Sequence, residues 1–257
     1  MKNKTINTEQ GHWILAKMGK KILRPGGREL TLKLIENLKI TAKDAVVEFA
    51  PGMGYTASFL LKNQPKSYTG IELNEEAAER LSRKMKGSNC NVLNRSAADT
   101  SLNESSVEKV IGEAMLTMQV DYRKSEIIGE AFRILKKGGL YGIHELGLVP
   151  DGLDPAVKDG IQLELAKAIK VNARPLSQAE WCQLLESEGF KIKEIHIAPM
   201  HLLEPKRIIN DEGIFRTMKI MFNILTHPEA KDRIRNMRHI FQKYEKQMAA
   251  FAIIAEK

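Results

Sequence analysis

Near the start of the chain, apolar residues recur with a helical period. Trp13, Ile14, Met18 and Ile22 predict a short amphipathic helix ended by Arg24-Pro25-Gly26-Gly27, and Leu30, Leu34 and Leu38 mark one face of a second. Then the rhythm changes. Residues 45–50 form a short apolar run that enters Pro51-Gly52-Met53-Gly54, and residues 56–62 predict a helix. Strands are expected over 67–73, 91–94, 107–111 and 140–146, with helices over 75–85 and 125–135 between them. Lys136-Lys137-Gly138-Gly139 suits the end of the latter helix, where cations and glycines are favoured. Such alternation implies right-handed βαβ units and a mostly parallel sheet with helices on both faces.

After Pro150 the pattern predicts a helical insert to residue 170, a helix over 177–188 ended at Gly189, and strands over 191–198 and 249–255. Between those last strands lie about 50 residues of helical pattern with two apolar faces. Ile214, Phe215, Met218, Met221, Phe222 and Leu225 mark one, and Ile234, Met237, Phe241, Tyr244 and Met248 the other. The expected organisation is an N-terminal helical cap (1–43), a core (44–200) carrying a helical insert (151–175), a helical lid (201–247) and a last core strand (248–257).

Composition narrows the class. With 257 residues, 43% hydrophobic and 28% charged, the chain can bury a sizeable core and is not generally disordered. Its net charge of +8 invites a nucleic-acid partner, but the charge is unevenly placed. Residues 1–43 carry ten basic and three acidic groups, residues 44–150 thirteen and fourteen, residues 151–200 six and eight, and residues 201–257 eleven and seven. The excess belongs to the flanks. Two cysteines, Cys90 and Cys182, can build neither a disulfide framework nor a Cys-rich zinc site, and no metal site is expected. No apolar run is long enough to span a membrane, and residues 1–10 lack the apolar core of a signal peptide, so the expected setting is cytoplasmic.

Gly52-Met53-Gly54 lets the backbone approach a ligand, and the helix start beyond it offers unpaired N–H groups. Glu72 closes the next strand 18 residues after Gly54, where a carboxylate can accept both hydroxyls of a ribose. A helix-entry acid before Asn74 is the alternative for Glu72.

The run Glu48-Phe49-Ala50-Pro51-Gly52-Met53-Gly54 resembles the first motif of class I S-adenosylmethionine-dependent methyltransferases, an acid followed by Gly-x-Gly-x-Gly. Ile134-Leu135-Lys136-Lys137-Gly138-Gly139-Leu140 is similar to that family's entry into its fifth strand. The likeness covers residues 44–146 well and the last two strands more loosely. It implies a Rossmann-like α/β fold, a seven-stranded mostly parallel sheet of order 3-2-1-4-5-7-6 with strand seven antiparallel, under a helical cap. It also implies S-adenosylmethionine as cofactor, held by Glu48, Ala50, Pro51, Gly52, Gly54, Glu72, Leu73, Ser96, Ala97 and Glu113. In the family the acid at Glu48 orders the glycine loop and reaches toward the methionine ammonium. Ala50 replaces the first glycine, a change of little cost where no positive φ is needed. A gapless match to the family's Gly-Asp-Ala puts Ser96 at the acid and Ala97 beside the adenine, while a shorter loop would give the acid to Asp99. Gly52-x-Gly54-x-x-Ala57 also fits a dinucleotide fingerprint, so an NAD-binding oxidoreductase is a competing class. Glu48, Pro51 and the two helices before the first strand weigh against it.

Methyl transfer is an in-line displacement at a sulfonium carbon, so the protein mainly aligns the acceptor, and a base is needed only where the acceptor arrives protonated. Candidate groups lie at the ends of the fourth and fifth strands. Glu113 is placed to meet the cofactor's ammonium or the acceptor, and His144 and Glu145 are candidate catalytic groups, of which at most one is expected to face the pocket. His12, Trp13 and His201 are candidates for covering it. No Asn-Pro-Pro-Tyr follows the fourth strand and no cysteine sits at a strand end, which argues against amino methylation of bases and against cytosine C5 methylation. The expected acceptor is a small molecule, apolar or anionic. RNA gripped by the basic flanks through Lys17, Lys20, Lys21 and Arg24 is the alternative. For the face at 214–225 three uses are open: lining an acceptor pocket, packing on the sheet, or resting on an anionic membrane surface beside Arg207, Arg216 and Lys219.

Overall fold

The computed structural model describes residues 10–85, 87 and 89–257. The polar opening segment at 1–9, which bears on the expected absence of a signal peptide, lies outside the described residues. Among the described residues eight strands form one sheet: β1 (Ala45–Phe49), β2 (Ser67–Ile71), β3 (Cys90–Leu93), β4 (Val107–Glu113), β5 (Leu135–Leu148), β6 (Leu176–Ser177), β7 (Lys191–Pro199) and β8 (Met248–Glu256). The helices in chain order are α1 (Gly11–Lys17), α2 (Gly27–Asn37), α3 (Tyr55–Leu60), α4 (Glu75–Lys84), α5 (Asp121–Ile134), α6 (Pro155–Ile169), α7 (Gln178–Ser187), α8 (Pro205–Glu212), α9 (Ile214–Thr226) and α10 (Pro228–Lys243).

The strand order is β3-β2-β1-β4-β5-β8-β7, with the two-residue β6 pairing parallel to the end of β5. Setting β6 aside, this is the expected 3-2-1-4-5-7-6 arrangement, and β8 runs antiparallel to both neighbours. The sheet is covered on both faces, as a parallel sheet requires. Alternation along β8 shows how. Ala249, Phe251, Ile253 and Ala255 enter the core under α5 and α7 with Ile127, Ile128, Trp181 and Leu185. Ala250, Ala252 and Ile254 face the other way, toward Leu30, Leu34 and Leu38 of α2. The small residues on that second side let α2 lie close. A Cβ at Gly142 would stand 2.9 Å from Leu34 Cδ1, and one at Gly26 2.9 Å from Ala250 Cβ.

Two boundaries differ from the pattern. The first helix stops at Lys17, because Gly19 takes φ +104, although Ile22 is buried as its period required. The helix expected to end in Lys136-Lys137-Gly138-Gly139 ends at Ile134, and the strand begins at once. The glycines serve the strand entry instead: Gly138 takes φ +77, and a Cβ at Gly139 would lie 2.8 Å from the Lys136 carbonyl. The face of Ile234, Met237, Phe241 and Tyr244 packs with α1 and α6 around Leu165 and Met248. The face at 214–225 does not pack on the described residues: its six large residues are exposed, which removes the sheet-packing use expected for them.

Candidate functional site

The site lies where β1 and β4, adjacent and parallel, both end, since crossovers leave this edge of the sheet on opposite sides. Beyond β1 the chain turns through Ala50-Pro51-Gly52-Met53-Gly54 into α3. Gly52 takes φ +52, and a Cβ placed on it would have nothing nearer than the Ala50 carbonyl oxygen, at 4.0 Å. Gly54 takes φ +74, and a Cβ there would collide with Leu81 Cδ1 at 2.3 Å, so this glycine is fixed by packing as well as by conformation. Ala50 corrects the sequence reading. It stands at φ +52, in the left-handed region that costs a residue with a Cβ about 1–2 kcal/mol, so its substitution for glycine is not free of strain. Ala114, just beyond β4, is held the same way at φ +51.

Glu72 reaches back across the turn. Gly52 N–H donates to its Oε2 at 3.0 Å, while Asn74 N–H donates to its Oε1 at 2.9 Å. The ribose candidate therefore also ties the glycine turn to the entry of α4, where Asn74 caps the helix by accepting from Ala77 N–H. Next to it Leu73 is 63% exposed, a large apolar side chain at a strand tip. In the loop after β3, Ser96 Oγ accepts from Ala98 N–H at 3.2 Å and from Arg123 Nη2 at 3.1 Å. Ala97 is buried in the core, and Asp99 is exposed with its N–H on the Ser96 carbonyl.

Glu48 is buried under this turn, accepting from the Tyr68 hydroxyl at 2.7 Å. Burial pushes its carboxyl up to about 8, against the Tyr68 hydrogen bond and with the repulsion of Glu113 added. Glu113, at the end of β4, has the reverse balance. Burial would raise it, but the Arg24 guanidinium, His144 and Thr56 together hold it down to about 2. Arg24 and the Thr56 hydroxyl both contact Glu113 Oε2, and the Thr31 hydroxyl donates to Oε1 at 2.7 Å. His144 completes the cluster. Its Nδ1 lies 2.7 Å from Glu113 Oε1, and its Nε2 lies 2.6 Å from the Pro25 carbonyl.

The expected catalytic groups are thus heavily engaged. His144 has no exposed surface and both ring nitrogens face oxygens, so it presents no free nitrogen to an acceptor. Glu145 points to the opposite side of the sheet, as strand alternation requires. It accepts from the N–H groups of Met115, Leu116 and Thr117 at 2.8–3.0 Å and from the Thr117 hydroxyl at 2.7 Å. Burial raises its pKa, and those donors oppose the rise. Its task is to hold the loop after β4. His12 lies beside Trp13 with ring centroids 5.2 Å apart and the rings tilted by 46°, and burial lowers its pKa to about 4. His201 pairs with Glu245 at 2.9 Å in a shallow groove lined by Leu202, Arg238 and Phe241.

Thr31 and Thr56 carry no mark of the site in the sequence. Arg24 reads there as part of a helix stop or a phosphate grip, and nothing local marks it as the partner of an acid 89 residues away. Among the described residues no group of three His, Cys, Asp or Glu is placed to hold a metal ion.

A family profile described as a methyltransferase domain matches residues 46–139, from β1 to the glycines before Leu140. A protein of Haemophilus influenzae, described as uncharacterized, is 32% identical over 253 residues, covering 97% of this chain and 98% of that one. The [4+2]-cyclase SpnF superposes with a TM-score of 0.74 at 14% identity, over 97% of this chain and 94% of its own. A Haemonchus contortus phosphoethanolamine N-methyltransferase bound to S-adenosyl-L-methionine gives 0.72 at 16% identity, over 98% of this chain and 58% of that longer one. At such identities these two likenesses speak for the fold. With the matching strand order, they agree with the profile: residues 46–139 are a methyltransferase domain, set in a chain with the Rossmann-like methyltransferase fold.

Proposed function

We propose that the protein transfers a methyl group from S-adenosylmethionine to a small acceptor enclosed beneath its own N-terminal turn. The observation that carries the reading is Gly52, whose N–H is held by the Glu72 carboxylate and whose Cβ position has nothing nearer than the Ala50 carbonyl oxygen at 4.0 Å. Exposed Leu73 beside it offers an apolar face to a flat ring, and Glu72 offers two carboxylate oxygens to vicinal hydroxyls. These groups fit the nucleoside half of the cofactor. Glu48, in β1 beside the turn, fits its ammonium. When bound, the cofactor supplies a methyl group already activated on a sulfonium sulfur.

The chain's own part is positioning. Arg24 on Glu113 and the Pro25 carbonyl on His144 close residues 24–31 over the strand ends, which suits an acceptor small enough to be covered. Glu113, His144 and Glu145 already have partners for their polar atoms, so in this reading they shape the site. The acceptor then brings a free lone pair and needs no base. Of the four cations that an RNA grip would use, Lys20 and Arg24 are buried, which favours the small molecule over RNA.

Incubation with methyl-labelled S-adenosylmethionine and a metabolite and lipid extract, followed by mass spectrometry, tests the reading. Label is expected in a low-molecular-weight product, with a pH profile of kcat/KM that shows no histidine limb. Label found only in added RNA, or in nothing, would reject it.

A further inference from the structure

Helix α9 is amphipathic in an unusual direction. Ile220, on its inner side, is buried, while Ile214, Phe215, Met218, Met221, Phe222 and Leu225 share the outer face and are 50–90% exposed. A side chain like Phe215, at 90% exposure, keeps nearly all its apolar surface in water, and six together form a patch of the kind that marks an interaction site. The rest of the helix is free of acids and carries Arg216 and Lys219. The neighbouring segment adds to the same charge. Asn223 Nδ2 donates to the Met18 carbonyl at 2.9 Å, which sets exposed Lys17 and Lys21 alongside α9.

We propose that the outer face of α9 docks on an anionic lipid bilayer, lying in the plane of the interface. The charge is complementary to such a surface, since the apolar stripe is flanked by cations as in interfacial helices that sink about 5–10 Å into the headgroup boundary. A second copy would bring the same cations face to face. No helix among the described residues is long and apolar enough to cross a membrane, so contact of this kind lies on the surface.

The docking face is tied to the site. Glu212, at the end of α8, accepts from the N–H groups of Lys21 and Ile22 at 2.7 and 2.9 Å, and Asp211 accepts from Arg28 N–H at 2.9 Å. The segment so held carries Arg24, the partner of Glu113, so a bilayer under α9 would lie next to the roof of the site. The surface itself does not depend on the methyl-transfer reading.

Co-sedimentation with sucrose-loaded vesicles decides it. The full chain is expected to pellet with vesicles of phosphatidylcholine containing a minority of phosphatidylglycerol, and to remain in solution with phosphatidylcholine alone or at high salt. Phe215→Ser with Phe222→Ser should weaken binding about tenfold or more, because the inserted apolar area supplies much of the affinity. Leu163→Ser, at an exposed apolar position on α6, serves as the control and should bind like the parent. Unchanged melting temperatures would show that all variants fold. The proposal is overturned if the parent ignores anionic vesicles, if the double variant binds equally well, or if sedimentation equilibrium shows a dimer that the double variant abolishes.

Discussion

On the β1 side of the site, Glu48 is buried with one phenolic hydroxyl for company and is pushed up to about 8; on the adjacent strand Glu113 is buried as deeply and is held down to about 2. Both carboxyls suffer the same loss of water. The difference is Arg24, together with His144 and the hydroxyl of Thr56, which reach Glu113 from an N-terminal segment, a strand and the turn helix. Burial sets the sign of a shift only where no cation answers it. The β1 side is built from one stretch of sequence, whereas the β4 side is assembled from segments more than 80 residues apart.

The comparison breaks most sharply at Arg24. Arg24→Met leaves an ionised Glu113 buried without its cation, and a loss of about 3–5 kcal/mol is expected in urea unfolding. Adding Glu113→Gln should recover a large part of it, whereas no recovery would show that Arg24 acts through packing alone.

The two acids also predict opposite limbs in stability against pH. Glu113 has a depressed pKa, so its contribution is present above the ordinary value near 4.5 and disappears as pH falls toward about 2. Glu48 has a raised pKa, so stability declines as pH rises from about 4.5 to about 8 and is then level. Glu48→Gln should remove that alkaline decline, up to about 5 kcal/mol across the window, and leave the acid limb in place. A variant that keeps the decline would refute the assignment to Glu48.

Smaller effects sharpen the local side. Gly54→Ala must move Leu81 and adopt φ +74, and is expected to lower stability by about 2 kcal/mol in the same assay. Ala50→Gly goes the other way. It relieves a left-handed alanine but adds freedom to the unfolded chain, leaving a net gain of no more than about 1 kcal/mol in thermal unfolding. A loss there would mean that the turn does not hold Ala50 at positive φ.

What the sequence made legible follows the same division. The strand, glycine turn and helix from 45 to 62 could be read because period and turn chemistry are local, and so could Glu72, which ends the next strand. The sheet order followed from the resemblance and the alternation of elements. The partners of Glu113 could not be read, because no spacing relates Arg24 or Thr31 to β4 before the chain is folded. Nor could the sequence show which of two similar apolar faces would stay bare. The stripes through Met221 and Met237 look alike as patterns, yet α10 packs on α1 and α6 while α9 turns its stripe to water.

The central claim is that the glycine turn and Glu72 hold S-adenosylmethionine, and isothermal titration tests it most directly. The parent chain is expected to bind S-adenosylmethionine in preference to NAD, and Glu72→Ala, which removes the carboxylate facing Gly52, is expected to weaken that binding about 10- to 100-fold. Tighter binding of NAD, or an affinity for S-adenosylmethionine that Glu72→Ala leaves unchanged, would contradict the account.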